Sequence, residues 1–327
     1  MKRRLIIFFI IFFTALTIIE GYVLSLYRYE SPTPYNLTIG KGDLPSKIAR
    51  RLASDGIISS SRLFLFSLRF RGLDKNIKSG EYGFDRGARL KDILDTLTSG
   101  NVLLRTITIP EGLDKTQTFQ LLLRAGVSID TELINDTGFL TELFDTPIPT
   151  GLEGYLFPET YRVRSDITFK ELVRLMVSSS LKVYKELERK NKTPIKMDRH
   201  EIFTLASIIE KETSLNSEKP VVASVYYNRM IKHWKLEADP TVQYALGVHH
   251  KRLFYKHLLV DSPYNTYRYA GLPPGPISSP GLSSLKATLY PASTAYYYFV
   301  ADNKGGHIFS ATRKEHLINQ SQSQKRR

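Results

Sequence analysis

Three regimes of apolar patterning divide the chain. The first is continuous: after Met1-Lys-Arg-Arg4, residues 5–19 carry no charge, and past Glu20 the apolar character resumes as far as Tyr27. That run reaches about the 20 residues a helix needs to span a bilayer. Its basic flank holds the N-terminus in the cytoplasm, and no small-residue cleavage site follows it. The pattern therefore predicts an uncleaved signal-anchor over residues 1–27, with the rest of the chain exported. Residues 28–36, with two prolines, read as a stiff linker.

The second regime, residues 37–106, alternates short elements. It predicts a strand at 35–39, helices at 45–53 and 62–70, a strand at 80–84, a helix at 90–97 and a strand at 102–109. The third regime, residues 107–320, mixes longer helices (115–125, 169–190, 200–213, 219–230, 239–246) with a Tyr-rich hairpin pairing 295–301 with 307–310. Residues 321–327 read as a basic tail. The fold class is α+β: a transmembrane helix, a small β-α-α-β subdomain and a larger α+β domain. Residues 261–284 hold five prolines and three glycines, and read as a long ordered loop forming a groove wall.

Charge sharpens this picture. The net charge is +14, and between Lys41 and Lys91 twelve Lys or Arg stand against five Asp or Glu. Half of the surplus thus lies in the small subdomain, which suggests an anionic partner. Export argues against nucleic acid, and no zinc spacing, RNP-like motif or Gly-rich phosphate loop supports it. With no cysteine, no H-x-x-x-H and no G-x-S-x-G, the chain points to neither thiol, zinc nor serine-elbow chemistry. No metal or cofactor is expected. Carboxylates are left as the natural catalysts, as in glycosidic bond cleavage.

The best placed carboxylates lie in the helix expected over 200–213. Asp198 and Glu201 make a capping-box start. Ile202, Leu205, Ala206 and Ile209 define one buried stripe, with Glu210 and Glu212 on opposite shoulders of it. Partial desolvation on a shoulder raises a carboxyl pKa and suits a general acid. The two cannot face one bond together, and helical geometry does not choose between them.

Several segments carry a resemblance. "TIGKGDLPSKIARRL" in the subdomain resembles the LysM glycan-binding module, with a packing adaptor as the other reading. "IPEG" (109–112), "LEGYLFPETYRV" (152–163), "LASIIEKET" (205–213), "VASVYYNRM" (222–230) and "LEADPTVQYALG" (236–247) stand in order. With "SPYNTYRYAGLPPGPISSPG" (262–281) and "YYFVADNKGGHIFSAT" (297–312) they resemble the endolytic murein transglycosylases, the YceG-like family.

The resemblance implies an exported lytic transglycosylase on the bacterial inner membrane, with its catalytic domain in the periplasm. Such enzymes cut nascent peptidoglycan strands non-hydrolytically and leave 1,6-anhydro-MurNAc ends; wall synthases are the implied partners. The Glu opening "EKET" is then the acid/base, which here is Glu210. Substrate contacts are expected from Glu153, Tyr155, Glu159, Tyr161, Glu212, Tyr226, Asn228, Asp239, Gln243, Tyr264, Asn265 and Tyr267. Each has a structural alternative; Asp239 could cap its helix before Pro240. A lysozyme-type hydrolase and a non-catalytic glycan-binding scaffold are the competing functions.

Overall fold

The computed structural model describes residues 27–40, 42–144, 151–248, 250 and 252–325, with scattered positions before residue 27. Most of the expected membrane span lies outside these residues. Among the described residues no helix is long and apolar enough to cross a membrane. The chain divides into two compact units, one of residues 1–106 with 162–167 and one of 107–161 with 168–327.

In the first unit β1 (Tyr35–Ile39) runs antiparallel to β2 (Gly80–Phe84), with Tyr35 opposite Phe84 and Ile39 opposite Gly80. Between them lie α1 (Pro45–Ser54) and α2 (Ser61–Phe70); α3 (Leu90–Ser99) follows. Proline in the first turn of α1 has no N–H to leave unpaired, and Ile48, Ala49 and Leu52 form its buried face. The Ser60 hydroxyl caps α2 by accepting from the Leu63 N–H. Leu37, Leu52, Phe64, Tyr82 and Leu97 meet in one core. The β-α-α-β order expected over residues 37–106 is therefore present, with a third helix appended. The strand expected at 102–109 is shorter, β3 (Leu104–Thr108), and pairs with β4 (Thr160–Arg164).

The second unit is mainly helical: α4 (Lys115–Arg124), α5 (Thr137–Phe144), α6 (Phe169–Glu188), α7 (Arg199–Glu212), α8 (Lys219–Ile231), α9 (Asp239–Leu246), α10 (Leu282–Leu289) and α11 (Arg313–Lys325). The hairpin forms as β5 (Tyr298–Ala301) against β6 (His307–Ser310). α6 and α7 open with capping boxes, Thr168 with Glu171 and Asp198 with Glu201.

α7 departs from the single-stripe expectation, because every residue from Ile202 to Ile209 is buried. α8, α9 and α10 all pack against it, and the small Thr204, Ala206 and Ser207 let them approach. Polar atoms there are satisfied internally: the Ser207 hydroxyl donates to Thr204 O and accepts from the Ile277 N–H. Two other expectations are corrected. The Pro-rich loop ends early, since α10 starts at Leu282 with Gly281 as its N-cap. The supposed tail is largely helix, as α11 continues to Lys325 and buried Ser323 donates to Ala301 O at 2.7 Å.

Candidate active site

Glu210 occupies the last turn of α7, and Lys219 the first position of α8. The Lys219 ammonium donates to both Glu210 oxygens, at 3.0 and 3.2 Å, and to Ser283 Oγ at 2.8 Å. Glu210 Oε2 also accepts from the Gly281 N–H at 2.9 Å and the Ser284 hydroxyl at 2.6 Å. The two charged side chains retain 7% and 1% of their surface. Glu210 is thus no half-exposed shoulder residue but one half of a buried ion pair. An isolated carboxylate taken out of water costs several kcal/mol, and here the ammonium and two further donors offset that cost.

A second carboxyl group stands beside this pair. The 109–112 loop is tied to the Pro-rich segment by backbone: Gly112 N donates to Ser279 O at 2.9 Å, and Ser279 N donates to Leu113 O at 2.8 Å. Lys211 Nζ, just past Glu210, reaches Gly112 O at 3.2 Å. Glu111 then lies so close over Gly281 that a Cβ there would sit 1.9 Å from Glu111 Oε1. Any side chain at 281 would displace the Glu111 carboxyl group from this position. Burial first, and then the Glu210 charge, push the Glu111 carboxyl above the usual range, with Lys219 opposing.

Glu212 faces different partners. The Tyr226 hydroxyl donates to Glu212 Oε1 at 2.5 Å, and the Tyr267 hydroxyl donates to Asp239 Oδ1 at 2.6 Å. These four residues line one cavity of about 290 Å³ with Arg229. Glu212 keeps some exposed surface, yet burial pushes its carboxyl up to about 7, opposed by the Tyr226 hydrogen bond. Asp239 is the first residue of α9, whose N-cap is Ala238, and makes no cap. Its side chain is spent on Tyr267 instead.

Other expected contacts are placed in the scaffold. Glu153 is buried; its carboxylate accepts from the Lys115 N–H at the start of α4 and from the Tyr244 hydroxyl. Burial, then the Asp114 charge, push it up to about 7. Tyr264 packs on Tyr244, ring centroids 4.8 Å apart. Tyr155 is fully buried against Phe144 and Phe203. Tyr161 is buried and donates to Phe157 O. Asn265, also buried, donates to Leu258 O and Val260 O. Asn228 holds Thr294 O and Tyr296 O, and Gln243 clamps both backbone groups of His250. Apart from the Tyr264 hydroxyl and exposed Glu159, their polar side-chain atoms bind the chain itself.

Lys219, Ser283, Ser284 and Glu111 escaped the sequence reading. Lys219 had one signal, a lysine directly before a proline at the expected start of a helix. Glu111 stood inside a quoted motif without being singled out.

A carboxylate held by a buried ammonium, with a second carboxyl group across one glycine, defines a site for proton transfer. The model of the YceG-like family matches residues 37–322, and the chain belongs to that family. It is 35% identical to the endolytic murein transglycosylase of Bacillus subtilis (strain 168), over 88% of this chain and 84% of that one. It is 26% identical to the enzyme of the same name from Streptococcus pneumoniae serotype 2, over 96% of this chain and 64% of that one. A YceG-like protein of Listeria monocytogenes, known from a crystal structure, superposes with a TM-score of 0.59 at 32% identity, covering 88% of this chain and 99% of the other.

Proposed function

We propose that this chain is an endolytic lytic transglycosylase that cleaves the MurNAc–GlcNAc β-1,4 bond within nascent peptidoglycan strands and so sets their length. The names of its relatives support the substrate. The observation that carries the chemistry is Glu210, fixed by Lys219, Ser284 and the Gly281 N–H at the end of the central helix. Cleavage needs a proton delivered to the leaving oxygen and another removed from the C6 hydroxyl, which attacks C1 and closes the 1,6-anhydro ring. Glu210 is the acid/base for this exchange. The substrate supplies its own nucleophile, so no glycosyl-enzyme bond is required.

Glu212, Asp239 and Tyr267, gathered round one cavity in which buried Tyr226 holds Glu212, are the substrate contacts this reading favours among those expected from sequence. Residues 1–27 anchor the chain in the inner membrane, with the catalytic unit outside and close to the wall synthases. The basic first unit holds wall polymer. Its surface suits that role, with Phe66 and Phe70 stacked at 6.0 Å, both largely exposed, beside exposed Arg62, Arg69 and Arg71.

The test is mass spectrometry of glycan strands digested by the protein. Internal fragments ending in 1,6-anhydro-MurNAc are expected, each lighter by one water than a hydrolytic fragment. Fragments with reducing ends would assign the lysozyme-type alternative, for which Glu111 provides the second carboxylate that such hydrolases use.

A further inference from the structure

The two carboxyl groups flanking Gly281 differ in what surrounds them. Both oxygens of Glu210 already accept hydrogen bonds: Oε2 from the Gly281 N–H and the Ser284 hydroxyl, Oε1 from the Lys219 ammonium. Hydrogen-bond donors favour the charged form of the carboxylate they point at, whereas a carboxyl oxygen with none aimed at it is free to carry a proton to a substrate. Glu111 is the reverse case. It is exposed, and no donor among the described residues hydrogen-bonds to it. Its Oε1 lies over the Cα of the same glycine whose N–H holds Glu210. Although the residue is open to solvent, its carboxyl end is partly covered by that glycine. This cover, and then the Glu210 charge, raise the Glu111 carboxyl and favour its holding a proton.

We propose that Glu111 is a second catalytic carboxyl group, which donates the proton to the leaving oxygen while Glu210 takes one from the attacking hydroxyl. The proposal rests on the glycan-cleaving reading above and divides the task given there to Glu210. The Glu111 O–H bond breaks, and its proton joins the glycosidic oxygen as the C1–O bond breaks with both electrons staying on that oxygen. A lone pair of O6 forms the new O6–C1 bond, and the O6 proton passes to Glu210 Oε1. Nothing is oxidised or reduced. Transfer of that proton from Glu210 to Glu111 through solvent resets the site.

The experiment compares the full chain in detergent with Glu111→Gln, Glu111→Asp, Glu111→Ala and Glu210→Gln on uncrosslinked glycan strands. Glu111→Gln should lower kcat about 100-fold or more, with KM and Tm close to wild type because the side chain is exposed. Glu111→Asp should keep part of the rate and shift the alkaline limb of the kcat/KM profile, which is set by the group that must hold a proton. Formate should restore part of the rate to Glu111→Ala. Glu111→Gln within about threefold of wild-type kcat, beside an inactive Glu210→Gln, would overturn the proposal and leave the wider reading standing. Should Glu111→Gln fold poorly, absence of formate rescue and an unmoved limb in Glu111→Asp would overturn it equally. An active Glu210→Gln would instead remove the reading on which the proposal rests.

Discussion

Two glutamates two residues apart on α7 meet burial in different ways. Glu210 shares its interior with a lysine ammonium, a hydroxyl and a backbone N–H. Glu212 has one neutral phenol, Tyr226, and burial pushes its carboxyl up to about 7. Depth alone does not decide what a carboxyl group can do; the charge of its partner does. One side of the helix is built round a buried ion pair, the other round a group that titrates near neutrality.

The comparison can be broken most forcefully at Lys219. Lys219→Met leaves a buried carboxylate without its cation, a change that costs about 3–5 kcal/mol. Thermal unfolding should show the loss, and Lys219→Met combined with Glu210→Gln should recover most of it. A single variant as stable as wild type would show that the pair is not what holds the end of α7.

Glu212→Gln should act in the opposite direction and depend on pH. Because the folded pKa of Glu212 is raised, its contribution is fully present below about 4.5 and is lost as pH rises through about 7. The glutamine variant does not titrate, so its stability relative to wild type should grow across that window. The ceiling is about 3 kcal/mol at about 1.36 kcal/mol per unit, lowered by solvent at the exposed edge of the side chain. Denaturant midpoints at pH 4 and pH 8 measure it; an equal difference at both would contradict the assignment.

Ser284→Ala removes one neutral donor from Glu210 and should cost about 1–3 kcal/mol, less than loss of the ammonium. The smallest effect belongs to Tyr267→Phe, which frees the partly exposed Asp239 and should cost about 1 kcal/mol or less. If Tyr267→Phe proved the costlier in urea titrations, the ranking by partner charge and burial would fail.

How much of this could be read in advance follows from the range of each interaction. Asp198 and Glu201 announce the start of α7 locally, and β1, β2 and α9 match their expected bounds because turn and cap residues stand next to them. Glu210 stands out through its motif, whereas the buried ion pair around it does not show in the sequence. Helical periodicity gives one buried stripe, and only the fold brings Gly281 and Ser284, more than seventy residues away, onto the other side. α10 hid behind a proline-rich segment, and the end of α11, residues 321–325, behind a polar composition that resembled a tail. Tyr155, Tyr161 and Asn265 read as groove residues because aromatic and amide side chains suit sugars; the polar tips of Tyr161 and Asn265 satisfy backbone carbonyls, and that of Tyr155 pairs with the His200 ring.

The most direct measurement is the rate of glycan cleavage by Glu210→Gln beside Glu212→Gln, with Tm recorded for both. Glutamine keeps the size and accepting oxygen of the side chain but cannot exchange a proton at neutral pH. Glu210→Gln should lose a factor of about 10²–10⁴ while remaining folded, and Glu212→Gln should keep measurable activity. A folded Glu210→Gln that cleaves strands at the wild-type rate, or equal losses in the two variants, would contradict the assignment of catalysis to the ion-paired side of the helix.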